Sequence, residues 1–80
     1  IKKETEQVME NLGYILEAAD MKFENVVKST IFLSDMDNFG KVNNVYGSFF
    51  ENETAPARET VAVKTLPKNV RVEISMIAVK

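Results

Sequence analysis

The hydrophobic pattern of this chain switches between helical and strand spacing, and each switch marks a boundary. Over residues 2–19, Val8, Leu12, Ile15, Leu16 and Ala19 recur at i, i+4, i+7, i+8 and i+11, with Met9 at the edge. That spacing lays one apolar stripe along a helix. Glu4, Glu6, Glu10, Asn11 and Glu17 take its wet side, and early acids suit a helix N-terminus. Asp20 tolerates left-handed backbone and is predicted to end the helix. Phe23 then covers the core across a short loop, and Glu24-Asn25 marks a turn. From Val26 to Ser34 the spacing is that of a strand. Apolar groups fall in both alternating sets, which predicts cover on both faces.

Asp35 or Asp37 is placed to cap a second helix from Met36 to Phe50, whose stripe is Phe39, Val42, Tyr46 and Phe49. Glu51-Asn52-Glu53-Thr54 is predicted to be an exposed polar loop. Pro56 biases Ala55 towards extended backbone and opens a strand over Arg58–Leu66. Within it Arg58, Thr60, Ala62 and Lys64 share one face, and Glu59, Val61, Val63 and Thr65 the other. Pro67-Lys68-Asn69 is a turn. The last strand, Val70–Val79, carries Val70, Val72, Ile74, Met76 and Ala78 on its core face. So short a turn predicts an antiparallel hairpin of the last two strands. The whole is α+β, a single domain over residues 1–80, with two helices on one face of a sheet. Three strands are thin cover for two helices, which predicts more chain or a partner subunit.

Absent residue types narrow the chemistry. The 80 residues include no cysteine and no histidine. Thiol nucleophiles, thiolate metal sites, serine–histidine–acid catalysis and the common zinc sites are therefore excluded for these residues. Lack of cysteine fits a reducing compartment, and a cytoplasmic location is expected. A formal net charge of −2 with scattered lysines argues against nucleic acid as the partner. No apolar run approaches the length of a membrane span. The first residue is Ile1, which suggests a fragment, a processed product or only the ordered part of something longer. What remains for chemistry is Arg, Lys, Asp, Glu, Tyr, Ser, Thr, Asn and the backbone. Among these Arg58, at the mouth of a strand, carries a permanent charge and a rigid fork of donors that fits a carboxylate or phosphate. The blander expectation for it is a surface arginine at a strand start, paired with Glu59 or another acid.

Several stretches together resemble one family. Gln7-Val8-Met9-Glu10-Asn11-Leu12 with Ile15-Leu16-Glu17-Ala18-Ala19 is similar to the first helix of the reactive-intermediate deaminases (RidA/YjgF, or L-PSP endoribonuclease-like proteins). Asn25–Leu33 with Asp35-Met36 resembles their next strand. Val42-Asn43, Tyr46 and Phe49-Phe50 follow the second helix. Pro56-Ala57-Arg58 resembles the signature arginine, and Leu66-Pro67-Lys68 with Val72-Glu73-Ile74 the closing hairpin. The family's N-terminal strands, with a Ser-Gly-Gln stretch and an early tyrosine, have no counterpart here, and Glu59-Thr60 stands where Ser-Cys is common.

The resemblance implies a chorismate-mutase-like fold and a homotrimer with sites between subunits. It implies hydrolysis of enamines and imines of the 2-iminobutanoate/2-iminopropanoate class to 2-oxo acids and ammonia, with no metal or organic cofactor. It makes Arg58 the anchor of the substrate carboxylate and gives Asn43 a part in shaping the pocket. Thr60, on the Arg58 face, is expected to line the same cleft. Ser75 stands at the position that the resemblance gives to a water-holding glutamate. Glu73, two residues earlier on the same face, is an acid able to act in its place. Surface readings stand beside these: Glu73 as a solvated acid paired with Arg71 or Lys64, and Ser75 as a small polar residue on a strand. Two other functions stay open, a carboxylate-binding or regulatory module without turnover and an endoribonuclease.

Overall fold

In the computed structural model, which describes residues 1–51 and 55–80, five regular elements follow in order. They are α1 (Lys2–Ala18), β1 (Val26–Leu33), α2 (Phe39–Gly47), β2 (Ala57–Ala62) and β3 (Val72–Ala78). Short 3-10 turns at Phe23–Asn25, Met36–Asn38 and Pro67–Asn69 join them. The element types agree with the sequence pattern, and the expected α+β class holds. Asp20 leaves α1 in the left-handed region at φ 61°. Asp35 accepts from the Asp37 amide at 2.9 Å, as a cap should. The second helix is shorter than its stripe suggested, because Met36–Asn38 winds as a 3-10 turn and Phe49 and Phe50 lie beyond its end. Most of the predicted loop, residues 52–54, lies outside the described residues.

The expected hairpin does not form. The strand order is β2-β1-β3, with β1 in the middle. β2 runs parallel to β1, and β3 runs antiparallel along its other edge. The ends of the connection show why. The Val63 amide donates to the Leu33 carbonyl at 2.8 Å, and the Ser34 amide donates to the Arg71 carbonyl at 3.2 Å. Residues 63–71 therefore pass over the end of β1 instead of folding back beside β2. Parallel strands need a crossover, here α2, and that crossover takes one edge of β1. The other edge is left for β3. Lys68 and Asn69, at φ 58° and 56°, turn the chain on its way across.

Helices cover one face of this sheet. Met9, Ile31, Leu33, Val42, Tyr46, Val72 and Ile74 form the buried cluster between them. The expected stripe of α1 is rotated: Met9 is fully buried, while Ile15 is 66% exposed and Ala19 is exposed. The buried line is Thr5, Met9 and Leu16, which faces the core between α2 and β3. Thr5 can sit there because its hydroxyl donates to the Ile1 carbonyl at 2.9 Å.

Cover on both faces of β1 is also expected, but among the described residues the helices cover only one. Ser29, Ile31 and Leu33 point under the helices, whereas Lys28, Thr30 and Phe32 belong to an open face. A register shift between Val26 and Lys28 lets the buried Val26 join the helix side, although strict alternation would not put it there. No helix among the described residues is long and apolar enough to cross a membrane.

Arg71, the residue just before β3, is held by α1. Its Nε donates to both carboxylate oxygens of Glu4, at 3.1 and 2.9 Å. That bond holds the Glu4 carboxyl below its ordinary 4.5. A depressed carboxyl pKa adds stability that is present above 4.5 and lost as pH falls through the lower folded value. Because the pair is half exposed, the contribution is small. In Arg71→Gln, NMR titration of the Glu4 carboxyl is expected to show its pKa rising towards the ordinary value. An unchanged titration would contradict the assignment.

Candidate functional site

Pro56 lies just before β2, and Arg58 is the second residue of that strand. In the parallel register Arg58 stands beside Ser29, and Thr60 beside Ile31. Since Ser29 and Ile31 point under the helices, Arg58 and Thr60 belong to the helix side. The opposite helix presents Phe39, Asn43 and Tyr46, spaced i, i+4 and i+7, so all three lie on one stripe. The Arg58 guanidinium carbon sits over both rings, 5.7 Å from the Phe39 centroid and 5.6 Å from that of Tyr46. Asn43, Tyr46, Pro56 and Arg58 are among the walls of a cavity of about 420 Å³.

Beneath the arginine lies a buried polar layer. The Ser29 hydroxyl, the Tyr46 hydroxyl and the Asn43 side-chain carbonyl are each out of solvent, with no hydrogen bond of good geometry among the described residues. Burial pushes the Tyr46 phenol above its ordinary 10.0, and the Ser29 hydroxyl and the Arg58 charge oppose it. Tyr46 is therefore neutral across the physiological range.

The structure brings Arg58 and Asn43 into one cavity. Thr60 shares their side but does not line it. Glu73 and Ser75 are elsewhere. They pair with Phe32 and Thr30, which places both exposed side chains on the open face of the sheet. The sheet thus stands between Arg58 and the two catalytic candidates of the same chain, Glu73 and Ser75. The surface pairings also differ from expectation. Glu59 alternates away from Arg58, pairs with Lys28 at 3.7 Å, and accepts from the Thr30 hydroxyl at 3.3 Å. Arg71 is taken by Glu4 and not by Glu73.

The helical stripe by itself implies core packing for Phe39 and Tyr46; Tyr46 does pack there, whereas Phe39 is 37% exposed. What could have marked them is that Asn43 falls between them on the same helical stripe. A cavity of about 520 Å³ lies beside the C-terminal half of α1, walled by Gly13, Tyr14, Glu17 and Phe23. It is the larger of the two, but none of these residues lines it, and its one cation, Lys22, shares the walls with three acids, Glu10, Glu17 and Asp20. No group of three or more acids among the described residues is arranged to hold a metal ion.

Comparison with known proteins gives a consistent answer. The sequence profile of the endoribonuclease L-PSP family matches residues 1–80. A RutC family protein of Synechocystis is 49% identical over 79 residues, which is 99% of this chain and 61% of that protein. The 2-iminobutanoate/2-iminopropanoate deaminase of Mus musculus is 46% identical over 80 residues, all of this chain and 58% of the relative. The crystal structure of E. coli TdcF with bound serine superposes with a TM-score of 0.91 at 36% identity, over 99% of this chain and 64% of that one. The chain thus spans about 60% of the length of the curated relatives it matches.

Proposed function

Because this chain belongs to the endoribonuclease L-PSP (RidA/YjgF) family and has its chorismate-mutase-like α+β fold, we propose that it serves a deaminase of 2-imino acids and their enamine tautomers. One observation carries the proposal. Among the described residues Arg58 is paired with no carboxylate, and its guanidinium opens onto a cavity. A substrate of the 2-iminobutanoate/2-iminopropanoate class offers the missing carboxylate. A bidentate pair fixes its orientation as well as its charge. The imine carbon then accepts water, the carbinolamine loses ammonia, and a 2-oxo acid remains. Each turnover consumes one water and releases one ammonia.

Moving those protons calls for an acid or base, a part the Glu73 carboxyl is able to take, whereas the Ser75 hydroxyl orients water but does not exchange a proton at neutral pH. Both lie on the sheet face away from Arg58 of their own chain. A site that joins them to an arginine therefore draws them from another copy, which favours a homotrimer with sites between subunits. Val61 and Ile77 leave apolar surface on that open face, Ile77 57% exposed, which favours association in the same way.

The test is release of ammonia and 2-oxobutanoate from 2-iminobutanoate generated in situ. The full protein is expected to turn over. Glu73→Gln is expected to lower kcat by about 10²- to 10⁴-fold with KM little altered, the usual scale for a lost acid-base group. A second outcome has its own support in the separation of Glu73 from Arg58. Saturable 2-oxobutanoate binding without ammonia release would point to a carboxylate-binding module.

A further inference from the structure

An arginine that clamps a ligand must itself be held. Its side chain is long, and an untethered guanidinium loses rotamer freedom when it is fixed. Proteins commonly supply the tether as a carboxylate. The ion pairs among the described residues are Lys28–Glu59, Arg71–Glu4 and Lys80–Asp20, and none includes Arg58. The neighbours of Arg58 are instead the ring faces of Phe39 and Tyr46. The two tethers have different chemical consequences. A carboxylate occupies the donor edge of the guanidinium and cancels its charge. A ring takes the flat face, holds the cation through the ring quadrupole, and leaves the five N–H donors and the charge available.

We infer that Phe39 and Tyr46 are the positioning residues for Arg58, a two-ring clamp that holds the guanidinium by its faces and leaves its donor edge for a ligand carboxylate. The clamp has a rigid base. Tyr46 is buried and packs its ring on Phe50 with centroids 4.9 Å apart. Phe39, 37% exposed, stands at the first turn of α2. Both rings come from one helix seven residues apart, so their separation is set by the helix and not by a loop. The inference deepens the proposed function and rests on Arg58 being the carboxylate anchor.

The experiment is calorimetric titration of the full protein with 2-oxobutanoate, which is bound and not consumed. Uncharged 2-oxobutanamide serves as the control for general damage. Phe39→Leu and Tyr46→Leu are each expected to weaken 2-oxobutanoate binding by about 3- to 10-fold, the scale of one cation–π contact. Tyr46→Phe, which keeps the ring, is expected to restore wild-type affinity. 2-Oxobutanamide is expected to behave alike in all variants. The Arg58 Nε–H proton resonance, shielded by both rings, is expected to move downfield in either Leu variant.

Phe39 is exposed enough that its replacement leaves the core intact, so the test survives if Tyr46→Leu fails to fold. Unaltered 2-oxobutanoate affinity in Phe39→Leu, with binding abolished in Arg58→Ala, would overturn the clamp and leave the anchor standing. Equal weakening of the acid and the amide would also overturn it. If Arg58→Ala itself binds 2-oxobutanoate normally, the anchor fails and the clamp with it.

Discussion

Replacing Arg58 with alanine is expected to lower kcat/KM for 2-iminobutanoate by about 10²- to 10³-fold. Removing one partner of a hydrogen-bonded charge pair costs about 2–5 kcal/mol, and each 1.4 kcal/mol is tenfold. The loss should fall on KM and kcat together. The carboxylate is held in ground state and transition state alike, but its orientation also sets the approach of water to the imine carbon. Arg58→Lys should recover little. An ammonium replaces the charge but lacks the planar fork, and it stacks less well on the rings of Phe39 and Tyr46. Stability should barely change in either variant, because Arg58 is exposed and has no carboxylate partner among the described residues. Initial rates of ammonia release against substrate concentration decide the matter, with thermal unfolding as the control. A variant with wild-type kcat/KM would remove Arg58 from the site altogether.

Leu33→Ala is expected to have the other dominant effect, this time on folding. Leu33 is fully buried at the end of the middle strand, where its carbonyl also accepts from Val63 on the way out of β2. Deleting a buried leucine side chain removes its transfer free energy and leaves a cavity, for about 2–5 kcal/mol in all. Against the roughly 5–15 kcal/mol that holds a domain of this kind folded, that is a large share. With a urea slope of about 1–3 kcal/mol/M, the midpoint should fall by on the order of 1–2 M. Leu33→Met conserves volume and should cost under about 1.5 kcal/mol. Equilibrium urea unfolding of the three proteins measures both differences. Equal midpoints for wild type and Leu33→Ala would mean that the core is not centred on β1.

The two predictions act on different parts of the molecule because the fold separates them. Stability is concentrated where β1 is covered by α1 and α2. The candidate chemistry sits at the edge, where α2 faces β2 across a cavity. An edge position leaves Arg58 accessible, and the buried Tyr46 ring beneath it links the two regions.

Much of this was already decided in the residue order. Local spacing determined the five elements, since helix and strand periods depend only on which neighbours share a face. Capping chemistry determined the turn after Ser34 and the left-handed exit at Asp20. The charge and fork of Arg58, and the absence of histidine and cysteine, limited the chemistry before any fold was known.

Strand order was not decided there. A three-residue turn at Pro67–Asn69 is compatible with a hairpin, and only the pairing of β1 with both neighbours sends β3 to its far edge. The face of α1 that is buried was likewise set by where α2 and β3 lie, which turned Met9 inward and Ile15 out. The site followed the same rule. Arg58 and Glu73 are each legible as chemically able residues, but residue types do not say which side of a sheet they occupy relative to one another. That depends on register, a long-range property. The pairings Ser29–Arg58 and Phe32–Glu73 place them on opposite faces of one sheet.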